Sequence, residues 1–465
     1  MTISSPRPSV SATVLPGEHL ERLRAALHGD LLLPRDDGWD AARRPWQLLV
    51  DQDPVAVVVA VDVDDVVATV RAARELGLHV APQSTGHGAG AIASLSETIL
   101  LRTGRLNHVT IDPDARTARV GSGAVWGDVA ALAAEHGLAA VAGMSSTVGV
   151  AGLLLGGGLG WFARSHGVGA NSILSLEVVD ALGRTMTVDA DNHSDLFWAA
   201  RGGAAPVVVT ELLIQLHSAA DLHGGALMWP IDRAADVAHA WREWIAGVPD
   251  SVTSLARVLR FPPIPEIPEP LRGRSFVAVE AAMQADAATV AELLHPLRAL
   301  GPEMDTVRPL SPDELGALHG DPPQPSPGYG TAVVLSEISV ASMGALLDAA
   351  LAPSSAPLVS VELRHLGGQL TPGRVEGGAV SAIAGAGLVF AVGIAPVPEA
   401  LEAVKAAADA LSHALRPYAA PTLVKNFTER PVTASALYGE DAERLRRVIG
   451  AWDPERIICF GHPID

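Results

Sequence analysis

Two glycine-bearing loops constrain this chain more than any other feature. The first, Gln83-Ser84-Thr85-Gly86-His87-Gly88, follows the apolar strand His79–Pro82 and places a histidine on a tight turn of small residues. The second runs from Gly143 to Gly160 as GMSSTVGVAGLLLGGGLG. Small side chains let backbone N–H groups approach a ligand closely, and a row of such groups makes a concave anion site. Two loops of this kind fit a pyrophosphate. A histidine on one of them then stands next to whatever ring that pyrophosphate carries.

The chain has 45 glycines in 465 residues, above the usual share of about 7%. Many of them cluster in these loops, so the excess marks a site rather than a linker. A length of 465 residues exceeds one ordinary core and implies two or three domains. The net charge is 33 − 52 = −19, which argues against nucleic acid or an anionic membrane surface as partner. The single cysteine, Cys459, allows neither an internal disulfide nor a cysteine metal cluster, and no metal site is expected. The N-terminal stretch lacks the pattern of a signal peptide, and no apolar run reaches the ~20 residues of a membrane helix. A soluble, cytoplasmic protein is expected, as monomer or homodimer.

Hydrophobic periodicity predicts a helix over 17–29, a strand over Val55–Val61 and a helix over Val63–Leu76 before the strand His79–Pro82. This strand–helix–strand unit delivers the chain to Ser84–Gly88, where α/β folds put ligand-binding loops. Strands follow over Leu106–Ile111 and Thr117–Val120, then a helix over Val125–Glu135. Strands Ile173–Asp180 and Thr185–Val188 pair across a turn, and Val207–Leu216 is a further strand. Beyond His217 helices and strands alternate, with proline-rich loops at FPPIPEIPEP from Phe261 and DPPQPSPGYG from Asp321. The second precedes the strand Thr331–Leu335 and reads as a site wall.

These segments, taken together, resemble the FAD-linked oxidases of the vanillyl-alcohol-oxidase (PCMH-type) superfamily, in particular a bacterial member of the berberine-bridge-enzyme-like branch. The resemblance rests on STGHGAG at Ser84–Gly90 and STVGVAGLLLGGGLGWFARSHGVGANSIL at Ser146–Leu174. It extends to DLFWAARGG at Asp195–Gly203, VELRHLGGQ at Val361–Gln369, KNFTERP at Lys425–Pro431 and LYGEDAERLRRVIGAWDPERII at Leu437–Ile458. It implies an α+β fold: a bipartite PCMH-type FAD-binding domain and an antiparallel-sheet substrate domain backed by helices. The implied division is an N-terminal helical segment at 1–34, the FAD-binding domain at 35–217, the substrate domain at 218–417 and a completing segment at 418–465.

The resemblance also assigns roles. Gln83, Ser84, Thr85, Gly86, His87 and Gly88 would meet the flavin, as would Gly143, Ser145, Ser146, Thr147, Gly149, Val150 and Gly152. Gly156, Gly157, Gly160, Val209, Asn426 and Phe427 complete the set. His87 stands where family members join a histidine to the flavin 8α carbon. Ser145 stands where many carry a second link from cysteine, so one covalent link is implied. Val148 matches a position near flavin C4a where a small side chain admits oxygen, which favours an oxidase. Two departures are visible: RGGAAPVVVT at Arg201–Thr210 is one residue shorter than the family's loop, and Val424 replaces a tyrosine in a Y-x-N pattern.

An oxidase of alcohols or phenols needs a base for the O–H or N–H proton. Alternation in Val361–Leu366 puts Glu362 and Arg364 on one face and Leu363 and His365 on the other. Either the charged pair faces the flavin, or it is a solvated pair on the outer face. Asn426 joins Glu362, Arg364 and Val148 as a catalytic candidate; Tyr329, Tyr438, His319 and Trp161 are lesser ones. The expected function is an FAD-dependent oxidase of a small organic molecule using O2, in natural-product tailoring. Sugar oxidation, a flavin oxygenase on a polyketide-like substrate, and a non-redox cyclase or binding protein are the alternatives. The glycines do not form the G-x-G-x-x-G fingerprint of NAD enzymes.

Overall fold

Apolar alternation and helix caps build three large sheets and one two-stranded sheet, His217–Ser218 with Leu138–Ala139. The computed structural model describes residues 17–92, 94–203 and 205–464; the first sixteen residues of the expected N-terminal segment lie outside it. In the first sheet, strands run in the order Asp30–Leu32, Ala56–Val59, Thr98–Arg102, His79–Gln83, the last three parallel. The helix Val63–Leu76 covers it with Val66, Val70 and Ala73. Asp62 starts that helix by accepting from the Asp65 N–H, and Gly77 ends it in the left-handed region, as its sequence signals require. The chain returns here near its end: Val80 N–H donates to Ile457 and Cys459 N–H donates to Val80.

The second sheet is antiparallel, in the order Val109–Asp112, Thr117–Gly121, Val207–Gln215, Ile173–Asp180, Thr185–Asp189. Its two faces are both covered. Val179 and Val208 pack toward the first sheet, whereas Val178 and Val207 pack with Val150 and Leu154 of the glycine-rich segment. A side-chain period of two sends alternate valines to opposite cores.

The third sheet has eight strands, all antiparallel. Leu222–Pro230, Ser275–Gln284, Val252–Arg260, Ser360–His365, Gly387–Ile394 and Gly328–Leu335 are neighbours in that order. Four helices, Ala234–Trp244, Ala287–Arg298, Val340–Leu351 and Pro398–Leu415, back one face through a large apolar core. The other face meets residues 139–170: Leu255 and Ala282 pack on Trp161 and Phe162, and Leu388 packs on Leu159. The fold is thus the expected α+β arrangement, with the site lying where this bare sheet face meets the glycine-rich loops.

Candidate flavin site

The strand His79–Gln83 ends in Gln83, whose amide is bonded by Arg102. The chain then turns through Gly86 at φ 83°, and a Cβ there would sit 2.7 Å from the Pro45 Cβ, so no other residue fits without displacement. Trp46 N–H donates to the Thr85 carbonyl at 2.9 Å, which brings the indole onto His87 with ring centroids 4.1 Å apart and 17° between planes. His87 Nδ1 lies 2.8 Å from Thr85 Oγ1, and Nε2 lies 3.4 Å from Thr147 Oγ1. Thr147 Oγ1 is in turn 3.2 Å from Ser145 Oγ. Burial pushes the His87 imidazole down to about 4, so at neutral pH it is uncharged and keeps a nitrogen lone pair.

The second loop is fixed by its carbonyls. Trp126 N–H donates to Val148 and Gly127 N–H to Ser146, at 3.0 and 2.8 Å. Its amides are left over: those of Ser84 to Gly88 and of Ser145 to Gly149 have no acceptor among the described residues. Ten such donors on two facing loops are free to meet a ligand. Gly149 approaches Ser84 so closely that a Cβ would lie 3.0 Å from its Oγ. Val150 and Val209 are buried in the core beneath, and Val148 packs against the same core while half-buried. Gly143 lies against Leu153, Gly160 against the Ala142 carbonyl, and Gly152 has open space.

Asn426 crosses to this segment from the C-terminal chain. Its Oδ1 accepts from Gly158 N–H at 2.8 Å and its Nδ2 donates to the Leu153 carbonyl at 3.1 Å. A Cβ at Gly156 would lie 2.4 Å from that amide, and Gly157 lies beside it. The amide of Asn426 therefore holds the triple-glycine turn. Lys425, one of two lysines in the chain, donates to the Gly203 carbonyl, as does Tyr438 Oη at 3.1 Å. The shortened RGGAAP loop is thus secured from the C-terminal segment. Burial lowers Lys425 to about 7. Its rarity in the sequence is the one signal that sets it apart. The second proline-rich loop also reaches the site: Leu48 N–H donates to Ser326 and Ser326 N–H to Trp46, the residue stacked on His87. The first stays on the surface.

Opposite these loops, Glu362 and Arg364 are 1% and 7% exposed, which rules out a solvated pair. Arg364 Nε and Nη2 reach Glu362 Oε1 at 2.7 and 2.6 Å. His319 Nε2 lies 3.0 Å from Glu362 Oε2, and its Nδ1 lies 2.7 Å from Glu280 Oε2. Arg257 pairs with Glu280 at 2.8 Å. His319 is raised to about 9: burial and Arg257 oppose its charge, but the carboxylates on its two sides prevail. Glu362 and Glu280 are held below the usual carboxylate range by these same cations, against the cost of burial. His319 joins the site from the segment before the second proline loop, whereas Arg257 and Glu280 come from strands the sequence marks only as apolar. His365, on the other face, instead contacts Arg164. Tyr329 accepts from Arg430 at the rim.

Trp161 meets His319 edge-on and, with Trp126, Ser145 and Ser146, lines a cavity of about 30 Å³. Among the described residues neither indole Nε1 has a partner, and the space suits about two waters.

Free amides for a pyrophosphate, a neutral histidine beside them and a glycine turn without side chains together fit FAD. In agreement, residues 54–189 match the family model of the FAD binding domain. Over 193 residues the chain is 35% identical to (R)-6-hydroxynicotine oxidase of Paenarthrobacter nicotinovorans, covering 41% of this chain and 42% of that one. The chain spans 24% to 46% of the length of three such curated relatives. Among solved structures, BBE-like 1 of Physcomitrella patens superposes with a TM-score of 0.82 at 20% identity, over 96% of this chain and 99% of that one. The 6-hydroxy-D-nicotine oxidase of Arthrobacter nicotinovorans superposes with 0.79 at 25% identity, over 94% and 98%. Residues 54–189 are thus similar to the FAD binding domain, and the chain has the fold seen in PCMH- and BBE-like FAD oxidases.

Proposed function

We propose that this chain is an FAD-dependent oxidase of a small organic molecule, acting in natural-product tailoring in the cytoplasm. In this reading the substrate loses two hydrogens, as hydride and proton, and O2 takes them up as hydrogen peroxide. FAD supplies the two-electron acceptor between them. The observation that carries the proposal is the convergence of two rows of free amides on a neutral His87.

The chain's own residues divide the work. The amides of Ser84–Gly88 and Ser145–Gly149 would bind the pyrophosphate. His87, uncharged and oriented by Trp46, Thr85 and Thr147, has the lone pair a bond to the 8α carbon requires. Ser145 stands at the second attachment position, and a hydroxyl is too weak a nucleophile there, which supports a single link. Asn426 holds the glycine turn against which the cofactor would lie. Val148, half-buried and small, supports oxygen access.

Acid precipitation tests the proposal. Yellow colour is expected to stay with the wild-type pellet and to leave with the supernatant of the His87→Ala variant. Release from both would remove the covalent link. A colourless wild-type protein, even after supplying FAD, would overturn the oxidase reading in favour of a non-redox use of the fold.

A further inference from the structure

We infer that Arg364 is an anion-recognition residue that takes a carboxylate group of the substrate, and that Glu362 is its positioning partner rather than the base of the reaction. This rests on the oxidase reading above for its setting.

Both oxygens of Glu362 face cations. Oε1 is taken by two nitrogens of Arg364, at 2.7 and 2.6 Å, and Oε2 by His319 at 3.0 Å with Arg257 Nε at 3.8 Å. A general base must reach the substrate proton with a free lone pair, either directly or through one water. A carboxylate that is 1% exposed, with cations at both oxygens, is poorly placed for that. The cations around it also hold its pKa low, which weakens it further as a proton acceptor.

Arg364 is the reverse case. Its Nε and Nη2 are fixed by Glu362, while Nη1 has no hydrogen-bond partner among the described residues. A guanidinium clamped on one edge presents its remaining donors in a set direction. The guanidinium carbon lies 4.7 Å from the ring centroid of Phe427, and Phe427 adjoins Asn426, which holds the glycine turn. One aromatic ring therefore separates Arg364 from the cofactor cradle.

The charge count agrees. Arg257, Arg364 and charged His319 face Glu280 and Glu362, leaving one buried positive charge. The nearest further acid, Asp321, is 4.0 Å from His319 and sits at the rim with its side chain 38% exposed. From that distance and exposure Asp321 offsets the charge only in part, and an anionic ligand group would offset the rest.

Calorimetric titration of the purified flavoprotein with acetate and benzoate, beside acetamide and benzamide, tests this. At least one acid is expected to bind ten-fold or more tighter than its amide. Arg364→Met should abolish that preference and leave amide binding within two-fold. Because this variant strands Glu362, the double variant R364M/E362M, which removes both sides of the pair, is measured alongside with the same expectation. Glu362→Gln should weaken the acid several-fold through lost positioning, whereas a base role predicts unchanged acid binding. Equal affinity for acids and amides in the wild type, or a preference that survives loss of Arg364, overturns the inference. A colourless protein that still prefers acids would sink the oxidase reading and leave this one standing.

Discussion

The cradle and the charged sheet face each hold one buried histidine, and their surroundings push the two in opposite directions. His87 lies among hydroxyls and an indole, with no carboxylate in contact among the described residues, so burial alone acts and lowers it to about 4. His319 is more deeply buried, yet two carboxylates raise it to about 9. Burial therefore does not set the charge of a histidine; its partners do. One region supplies a neutral nitrogen and backbone donors, the other a fixed array of ions.

The sharpest way to break the contrast is Glu280→Leu. It would take from Arg257 and His319 the carboxylate that pairs with both most closely and should cost about 3–5 kcal/mol, read from urea unfolding. A loss below about 1 kcal/mol would mean that the ions do not act as a unit.

The two histidines should also stabilise at opposite ends of the pH scale. His319 is raised, so its contribution is complete below the unfolded imidazole value of about 6.5 and is lost as pH climbs toward 9. His87 is lowered, so its contribution is complete above about 6.5 and is lost as pH falls toward 4. Lys425, lowered to about 7, gains stability with rising pH and works against His319. The difference between wild type and His319→Gln isolates the alkaline arm. It should amount to roughly 2–3 kcal/mol between pH 6.5 and 9.5; parallel curves would show that His319 is not charged.

A smaller effect is expected where a polar side chain serves only backbone. Asn426→Ala frees the Gly158 N–H and the Leu153 carbonyl and should cost about 2 kcal/mol, with weaker retention of flavin. Retention equal to wild type would separate Asn426 from the cradle. Least of all, Trp46→Ala removes the stacked ring and should cost about 1 kcal/mol; under the proposed link to His87 it should also slow flavin attachment, followed by in-gel fluorescence. An unchanged rate would mean that Thr85 and Thr147 alone orient His87.

Much of the fold could be read in advance because its signals are local. The helix Val63–Leu76 is bounded by Asp62 and Gly77, which the sequence displays openly. The strand Ile173–Asp180 and its partner Thr185–Asp189 follow from alternation and a turn. The cradle is legible for the same reason: its donors are main-chain amides, and short runs of small residues suffice to expose them. The pairing of Val80 with Ile457 and Cys459 was visible only as a resemblance, since nothing local links residues nearly four hundred positions apart.

By itself, then, the sequence determined which two loops would come together with free backbone amides and which histidine would stand beside them. Glu362 and Arg364 were equally legible as neighbours on one strand face, but their burial was not. Only the tertiary structure brought Arg257, Glu280 and His319 to them, from two other strands and a loop, and thereby decided that the pair is buried and clamped. The physical reason is the range of the forces. Periodicity and turn chemistry act within a few residues, whereas desolvation and Coulomb interaction depend on whatever the fold places within a few ångströms.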